Sequence, residues 1–563
     1  MGNCLAMVMQ RPPWWKNSVF YCLNVKTFSD GNGDGWGDFP GLTQRLDYLK
    51  WLGVGCIWLM PFHPSEDRDD GYDITDYYAV DERLGTLGDF VAFVHEARAH
   101  GIRVIGDLVI NHTSARHPWF LRSREGRDSP YRSWYVWVDE PPPGDGEPIA
   151  VFPHDDPSPW RYDDRTDQYY LHQFYRHQPD LNLANPEVRA EIERVVGFWL
   201  QLGLSGFRVD AAPHLMLGTG RGGQTSACDV HAYIAELRSF VTSRCPDAIL
   251  LGEVNRPYKE AARFLGRQSG TGDELTMCLD FEGMQQMHLA LARRDPRLLT
   301  ESILRRPVPP GTGRWASFVR NHDELVLDLL SEDERNAVFQ AFGPDENMKY
   351  QGRGLRLRLP TMMRGDLRRI KMVYSLLFSL PATVVLLYGE EIGMGEDLEA
   401  RGRLSVRCPM RWEPGSGSDA ASSAPPVKPV TQERDPDGVC VQAQRDDPDS
   451  LLSWIRLLIR LSREYTAFGG DDFLPLETAA AHALAHLRQH EGQNVLCLHN
   501  FSKEPAEAAV RLELGEREGP IELTDLLHPG DSYQAEPSGD AVVRLDAYQS
   551  RWLSVAEGER HLQ

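Results

Sequence analysis

Three carboxylates, two histidines and an arginine close apolar runs in this chain, a set suited to acid–base chemistry on a neutral substrate. In SGFRVDAAP, Ser205–Pro213, an apolar run carries Arg208 and ends on Asp210. Side chains alternate along a strand, so these two residues point to one side. The fixed charge of Arg208 is expected to keep Asp210 ionised and lower its pKa, as a nucleophile requires. Alone, the stretch reads equally well as a structural Arg–Asp pair at a strand end. Asp107, Asn111 and His112 follow a second apolar run, Glu253 a third, and Arg320, Asn321, His322 and Asp323 a fourth. Two carboxylates facing each other at about 5–5.5 Å suit a retaining glycosidic displacement. One attacks the anomeric carbon; the other protonates the leaving oxygen and then deprotonates the acceptor.

Something must bring these distant residues to one place. Apolar runs with strand character (Val19–Val25, Cys56–Met60, Ile102–His112, Gly206–Asp210, Ala248–Asn255, Met277–Gly283, Trp315–Glu324, Thr383–Glu391) alternate with helical patterns about eight times. Strands buried on both faces and separated by helices predict a parallel (β/α)₈ barrel, with reacting groups at the C-terminal strand ends. The barrel is assigned residues 1–112 and 186–466. Residues 113–185, aromatic and proline-rich, read as a small domain inserted after strand three, and 331–366 as a further insertion. From 470 to 557 short strands around turns predict an all-β, sandwich-like terminal domain. Pro414–Pro429 is a low-complexity loop.

The chain has 563 residues, too many for one core. Its net charge of −22 argues against nucleic acid and anionic membranes as partners. No run is long and apolar enough to span a membrane, and the first residues do not resemble a secretory signal. Nine cysteines without a CxxC pair read as free thiols, so a cytoplasmic location is expected. A homo-oligomer is compatible with this composition. A neutral sugar would be indifferent to the charge.

DLVINH, GFRVD, GEVN and RNHD, in that order, resemble the four conserved regions of glycoside hydrolase family 13, the α-amylase family. The resemblance implies Asp210 as nucleophile, Glu253 as general acid/base and Asp323 as the carboxylate stabilising the distorted sugar. It also implies that Arg208 orients Asp210 and that His112 and His322 donate to sugar hydroxyls. FHPSEDRDDGYDITDYY, INHTSARHPWF, FYRHQPDLNLANPEV and YGEEIGMGE are most similar to the trehalose synthase branch. There, Asp69 and Arg407 match residues that bind the terminal glucose, with Tyr72 as stacking platform. This implies exo-action on a small α-linked glucoside, most simply isomerisation of maltose to trehalose with side hydrolysis. An α-glucosidase or transglucosidase is the alternative, and a non-catalytic sugar-binding relative a remote one.

DGNGDGWGD, Asp30–Asp38, places oxygen side chains at alternate positions among glycines, as hard cations require. It resembles the calcium loop after the first strand in this family, implying Asp30, Asn32, Asp34 and Asp38 as side-chain ligands and Trp36 through its carbonyl. No organic cofactor is implied. Asn111 and Asp180 match two ligands of a second calcium site, but His214 and Leu217 stand at the other two, which removes a carboxylate. Other departures fall near the acceptor: RCPMRW (Arg407–Trp412, with Arg411), RLS (Arg403–Ser405), and the Gly-rich HLMLGTGRGGQ after the nucleophile strand.

Overall fold

The structure, a computed structural model, describes residues 13–141, 150–215, 229–266, 272–414, 438–513 and 519–556. Nearly all of the Pro414–Pro429 loop, most of the Gly-rich segment after His214, and Leu217 lie outside the described residues.

Eight parallel strands close into a barrel. They are β1 (Phe20–Leu23), β2 (Cys56–Leu59), β3 (Arg103–Leu108), β4 (Gly206–Val209), β5 (Ile249–Gly252), β6 (Met277–Leu279), β7 (Arg314–Ser317) and β8 (Thr383–Leu387). Each pairs with its neighbours in chain order, and β1 closes on β8 with Phe20 opposite Val385. Almost every strand residue is buried, which is why these segments read as continuous apolar runs rather than alternating ones. At Gly206, φ is +139°, and a Cβ would meet the Ile249 carbonyl oxygen at 2.1 Å, so only glycine lets β4 approach β5 there.

The helices around the barrel carry ordinary start signals. Helix Pro186–Gln201, which feeds β4, begins with Asn185 capping Glu187 N–H and proline in the first turn. It buries Val188, Ile192, Val195, Val196 and Trp199, a helical stripe in which each fully buried side chain is worth about 1.5–3 kcal/mol. Between β1 and β2 the helix is in two pieces: Phe39–Gln44 and Leu46–Leu52 meet at Arg45, and Gly53 (φ +99°) ends the second.

Between β3 and β4, residues 113–185 carry a short helix and three antiparallel strands ordered Trp137–Val138, Gln168–Leu171, Trp160–Asp163. The segment before β8 holds helix Glu332–Phe342 and a small sheet joining Leu325–Val326, Gly354–Leu355 and Lys349–Tyr350. The terminal domain is antiparallel, and its eight strands form one continuous hydrogen-bonded sheet rather than two separate ones. Alternate residues such as Leu487, Leu496, Val510, Leu523, Val543 and Leu553 converge in one apolar cluster, so the sheet curves around its own core. No helix among the described residues is long and apolar enough to cross a membrane.

Candidate active site

The C-terminal ends of the barrel strands surround a cavity of about 320 Å³, within the usual small-ligand range. Asp210, immediately after β4, and Glu253, immediately after β5, line it with Asp323, which lies six residues beyond β7. Ala211, next to Asp210, takes a left-handed φ of +44°, and its N–H donates to Glu253 Oε2 at 2.9 Å. That sharp turn aims Asp210 into the cavity and couples the two acids through one peptide group.

Arg208 lies behind them, fully buried. Its Nη1 donates to Asp107 at 2.7 Å and to Asp210 at 2.5 Å, and Nη2 stands 2.8 Å from Glu253 Oε2. One guanidinium therefore serves three carboxylates. Burial pushes Asp210 up to about 6; Arg208 opposes this, while Asp107 and Asp323 add to it. The expectation that Arg208 lowers the Asp210 pKa thus fails in its net sign, because burial and like charge outweigh one shared cation. Burial likewise pushes Glu253 up to about 7, against Arg208 and reinforced by Asp210 and Asp323.

Asp323 differs. Burial would raise it, but His322, Arg403 and Arg407 more than reverse this, holding it far below the usual carboxylate range. His322 is itself driven well below its usual pKa by burial, so it is neutral at physiological pH. The two guanidinium charges therefore dominate: Arg403 Nη1 and Arg407 Nη2 both donate to Asp323 Oδ1, at 2.7 and 2.8 Å.

Asp69 is paired with Arg403 (2.9 Å), not with Arg407, and also accepts from Gln178 at 2.9 Å. Arg407 instead pairs with Asp70 at 2.7 Å and lies behind the cavity wall, its side chain only 3% exposed. The assignment of Arg407 as Asp69's sugar-binding partner is thus corrected to Arg403, which lines the cavity. Asp70 is buried and held ionised by two cations, Lys26 and Arg407, so its pairing occupies the Arg407 guanidinium.

Tyr72 lines the cavity, but its ring is stacked 5.8 Å from His322. Its hydroxyl donates to Asp107 at 3.2 Å and meets His322 Nε2 at 2.6 Å. His322 is fully buried and takes no part in the wall, so it is not placed to donate to a sugar directly. His112 does line the cavity, yet its Nε2 bonds to the Tyr72 carbonyl at 3.2 Å and its Nδ1 faces Asn111 Nδ2 at 3.4 Å. Both ring nitrogens expected to reach sugar hydroxyls are thus committed to protein groups.

The remaining wall was not anticipated from the sequence. Phe152 and Phe174 of the inserted domain face Asn255 and Arg256 after β5 and Glu324, Asp328 and Arg353 beyond β7. Phe152 lies between two cations, Arg353 at 5.2 Å and Arg403 at 5.0 Å from its ring centre. Gln351 donates to Asp155 at 2.8 Å and Arg353 to the Val151 carbonyl at 3.3 Å, so the two insertions clasp each other over the cavity. Only Arg403 had a sequence signal: an arginine four residues before Arg407.

Comparison with known proteins agrees with this geometry. Residues 23–338, over half of the chain, match the family described as alpha amylase, catalytic domain. The chain belongs to the alpha-amylase family. It is 38% identical over 520 residues to the trehalose synthase/amylase TreS of Mycobacterium tuberculosis (strain CDC 1551 / Oshkosh), covering 91% of this chain and 86% of that one. It is 37% identical over 529 residues to the trehalose synthase of Pimelobacter sp. (strain R48), covering 91% of each. Among solved structures, the trehalulose synthase MutB of Pseudomonas mesoacidophila MX-45 superimposes with a TM-score of 0.74 at 26% identity, covering 97% of this chain and 100% of that one. The protein is an enzyme of this alpha-amylase family.

The family resemblance implies a calcium loop at Asp30–Asp38 and matches only two ligands, Asn111 and Asp180, of a second site. In the Asp30–Asp38 loop, Asp30 accepts from the N–H groups of Asn32, Gly33 and Gly35, and Asp34 from Trp36 N–H. Asp38 accepts through Oδ1 from Gly31 and Gly41, while its buried Oδ2 has no hydrogen-bond partner among the described residues. Burial raises the Asp38 pKa, and the nearby charges of Asp30 and Asp34 add to it. Around Asp180 the picture differs. Burial pushes this carboxyl up to about 7, and Gln173 and Asn111 already donate to it.

Proposed function

We propose that the protein isomerises maltose to trehalose by a double displacement, with hydrolysis as a side reaction. The observation that carries this reading is the convergence of Asp210, Glu253 and Asp323 on one cavity, closed at one side by the Asp69–Arg403 ion pair. A pocket blocked behind a single sugar favours exo-action on a disaccharide over cleavage within a polymer.

In the first step ionised Asp210 attacks the anomeric carbon of the non-reducing glucose, forming an ester. The C1–O4 glycosidic bond breaks, and the proton on Glu253 passes to the leaving oxygen. Glu253, pushed up to about 7, holds that proton near neutrality. Asp323, held ionised, faces the developing positive charge of the ring. The released glucose stays under the clasped insertions, and its anomeric hydroxyl attacks C1 of the ester. Its proton returns to Glu253 and Asp210 leaves as carboxylate, giving the 1,1-linkage. Excluding water at this stage decides between isomerisation and hydrolysis.

The buried, unpartnered Asp38 Oδ2 supports a structural calcium ion at the Asp30–Asp38 loop, which Asp30, Asn32, Asp34, Asp38 and the Trp36 carbonyl would hold in exchange for the N–H groups these oxygens now accept. The ion would neutralise three neighbouring carboxylates, including the unpartnered Asp38 Oδ2. Buried free cysteines such as Cys22, Cys56, Cys278 and Cys497 support a reducing compartment, the cytoplasm.

The test is the product mixture from maltose. Trehalose forming faster than free glucose is the expected result; glucose alone, or no turnover, would remove the isomerase reading.

A further inference from the structure

Gln173 occupies an unusual position between the inserted domain and the loop after the nucleophile. It follows strand Gln168–Leu171 and is buried. Its carboxamide nitrogen donates both to Asp180 Oδ2, at 2.9 Å, and to the His214 carbonyl, at 2.8 Å. Its backbone N–H lies 3.3 Å from each Asp180 oxygen, and Asn111 Nδ2 donates to Asp180 Oδ1 at 3.3 Å. Asn111 Oδ1 is buried and has no hydrogen-bond partner among the described residues.

These oxygens come from segments far apart in sequence, and a hard cation needs several oxygens at about 2.3–2.6 Å without a competing donor. Here the two oxygens that converge, Asp180 Oδ2 and His214 O, already have an N–H₂ group between them. An ion would have to expel that amide. The residues around Asp180 therefore do not fit the second calcium ion that the family resemblance implied.

We infer that the Gln173 carboxamide takes the place of that ion, tying the inserted domain to the turn that follows Asp210 without a metal. The tie matters because of what it holds. Phe174, the next residue, and His214 both line the cavity, with their rings 5.7 Å apart. His214 closes the short turn Ala212–His214 that begins two residues after Asp210. Gln173 is thus a positioning residue: it acts on the sugar through Phe174 and His214. The inference stands on this geometry and not on maltose as the substrate.

The test separates this position from the Asp30–Asp38 loop by working in the Asp34→Ala protein. After chelation, calorimetric titration with calcium chloride should show no tight equivalent in that protein. Adding Gln173→Ser, which opens space beside Asp180, Asn111 Oδ1 and the His214 carbonyl, should create one, and millimolar calcium should raise its melting temperature. Gln173→Met, of similar volume but without a donor, should lower kcat/KM at least tenfold, with calcium giving no rescue. A calcium equivalent in the Asp34→Ala protein that Asp180→Asn removes would overturn the inference. So would a Gln173→Ser protein that gains no ion, or a Gln173→Met protein within twofold of wild type.

Discussion

Replacing Arg403 by glutamine should impair catalysis far more than it impairs folding. The guanidinium bridges Asp69 and Asp323 at 2.9 and 2.7 Å, and its side chain is 14% exposed, facing the cavity. Removing one partner of a fully buried ion pair costs about 3–5 kcal/mol. Here the cost to folding is smaller, for two reasons. Asp323 keeps Arg407 at 2.8 Å, and Asp69, already raised by burial, can relieve its isolation by taking a proton. The transition state has no such escape. It loses the anchor at the far end of the reacting glucose and part of the field that fixes Asp323. A loss of about 2–3 kcal/mol corresponds to roughly 30- to 150-fold in kcat/KM. Arg403→Lys keeps the charge but not the fork that reaches two carboxylates at once, so it should recover only part of the loss. Initial rates of trehalose and glucose formation, with a melting curve for each variant, measure both quantities. An Arg403→Gln enzyme within twofold of wild type would refute the reasoning, because the bridge would then be idle in the reaction.

Three further outcomes follow from the same charges. The activity profile should be a narrow bell: Asp210 must be ionised and titrates near 6, so kcat/KM falls below that pH; Glu253 must be protonated and titrates near 7, so it falls above. The two acids titrate as a coupled pair, and a rate flat from pH 5 to 9 would contradict the assignment. Arg407→Ala should instead destabilise the fold by about 1–3 kcal/mol, less than a fully stranded buried charge because Asp70 keeps Lys26 and Asp323 keeps Arg403; a wild-type denaturation curve would count against this. Chelation should lower the melting temperature of the wild type and leave the Asp34→Ala protein unmoved, and equal responses would argue against calcium in the Asp30–Asp38 loop.

Much of the fold was legible because a barrel strand is buried on both faces and so announces itself as an apolar run. The acids were legible because such runs end where chemistry is placed. What the residue order did not show was competition between neighbours. Arg403 lies in the tight turn Gly402–Val406, Arg407 caps its end four residues on, and both reach Asp323. Which of them takes Asp69 depends on Asp70, held at φ +52° against Lys26, and that is visible only in three dimensions. The surroundings of His112 and His322 were hidden for a related reason: the residue type shows two ring nitrogens but not that His112 Nε2 bonds to the Tyr72 carbonyl and His322 Nε2 to the Tyr72 hydroxyl. The continuous terminal sheet was hidden because alternation along a strand is the same in one curved sheet as in two stacked ones.

The acid–base roles themselves reduce to counting cations. Arg208 is shared among Asp107, Asp210 and Glu253, three buried carboxylates with one guanidinium. Burial then prevails, and Asp107, Asp210 and Glu253 are raised to about 6, 6 and 7. Asp323 meets two guanidiniums, Arg403 and Arg407, each shared with only one other carboxylate (Asp69 and Asp70), and stays ionised. Glu253 is raised by burial and by the charges of Asp210 and Asp323, which suits it to hold a proton for the leaving oxygen. Asp210 has the closest contact with Arg208, which favours its ionised form and suits it to attack. The carboxylate with two cations cannot exchange protons near neutrality and is left to stabilise charge. A different sharing of arginines among these acids would give a different assignment of roles within the same barrel mouth.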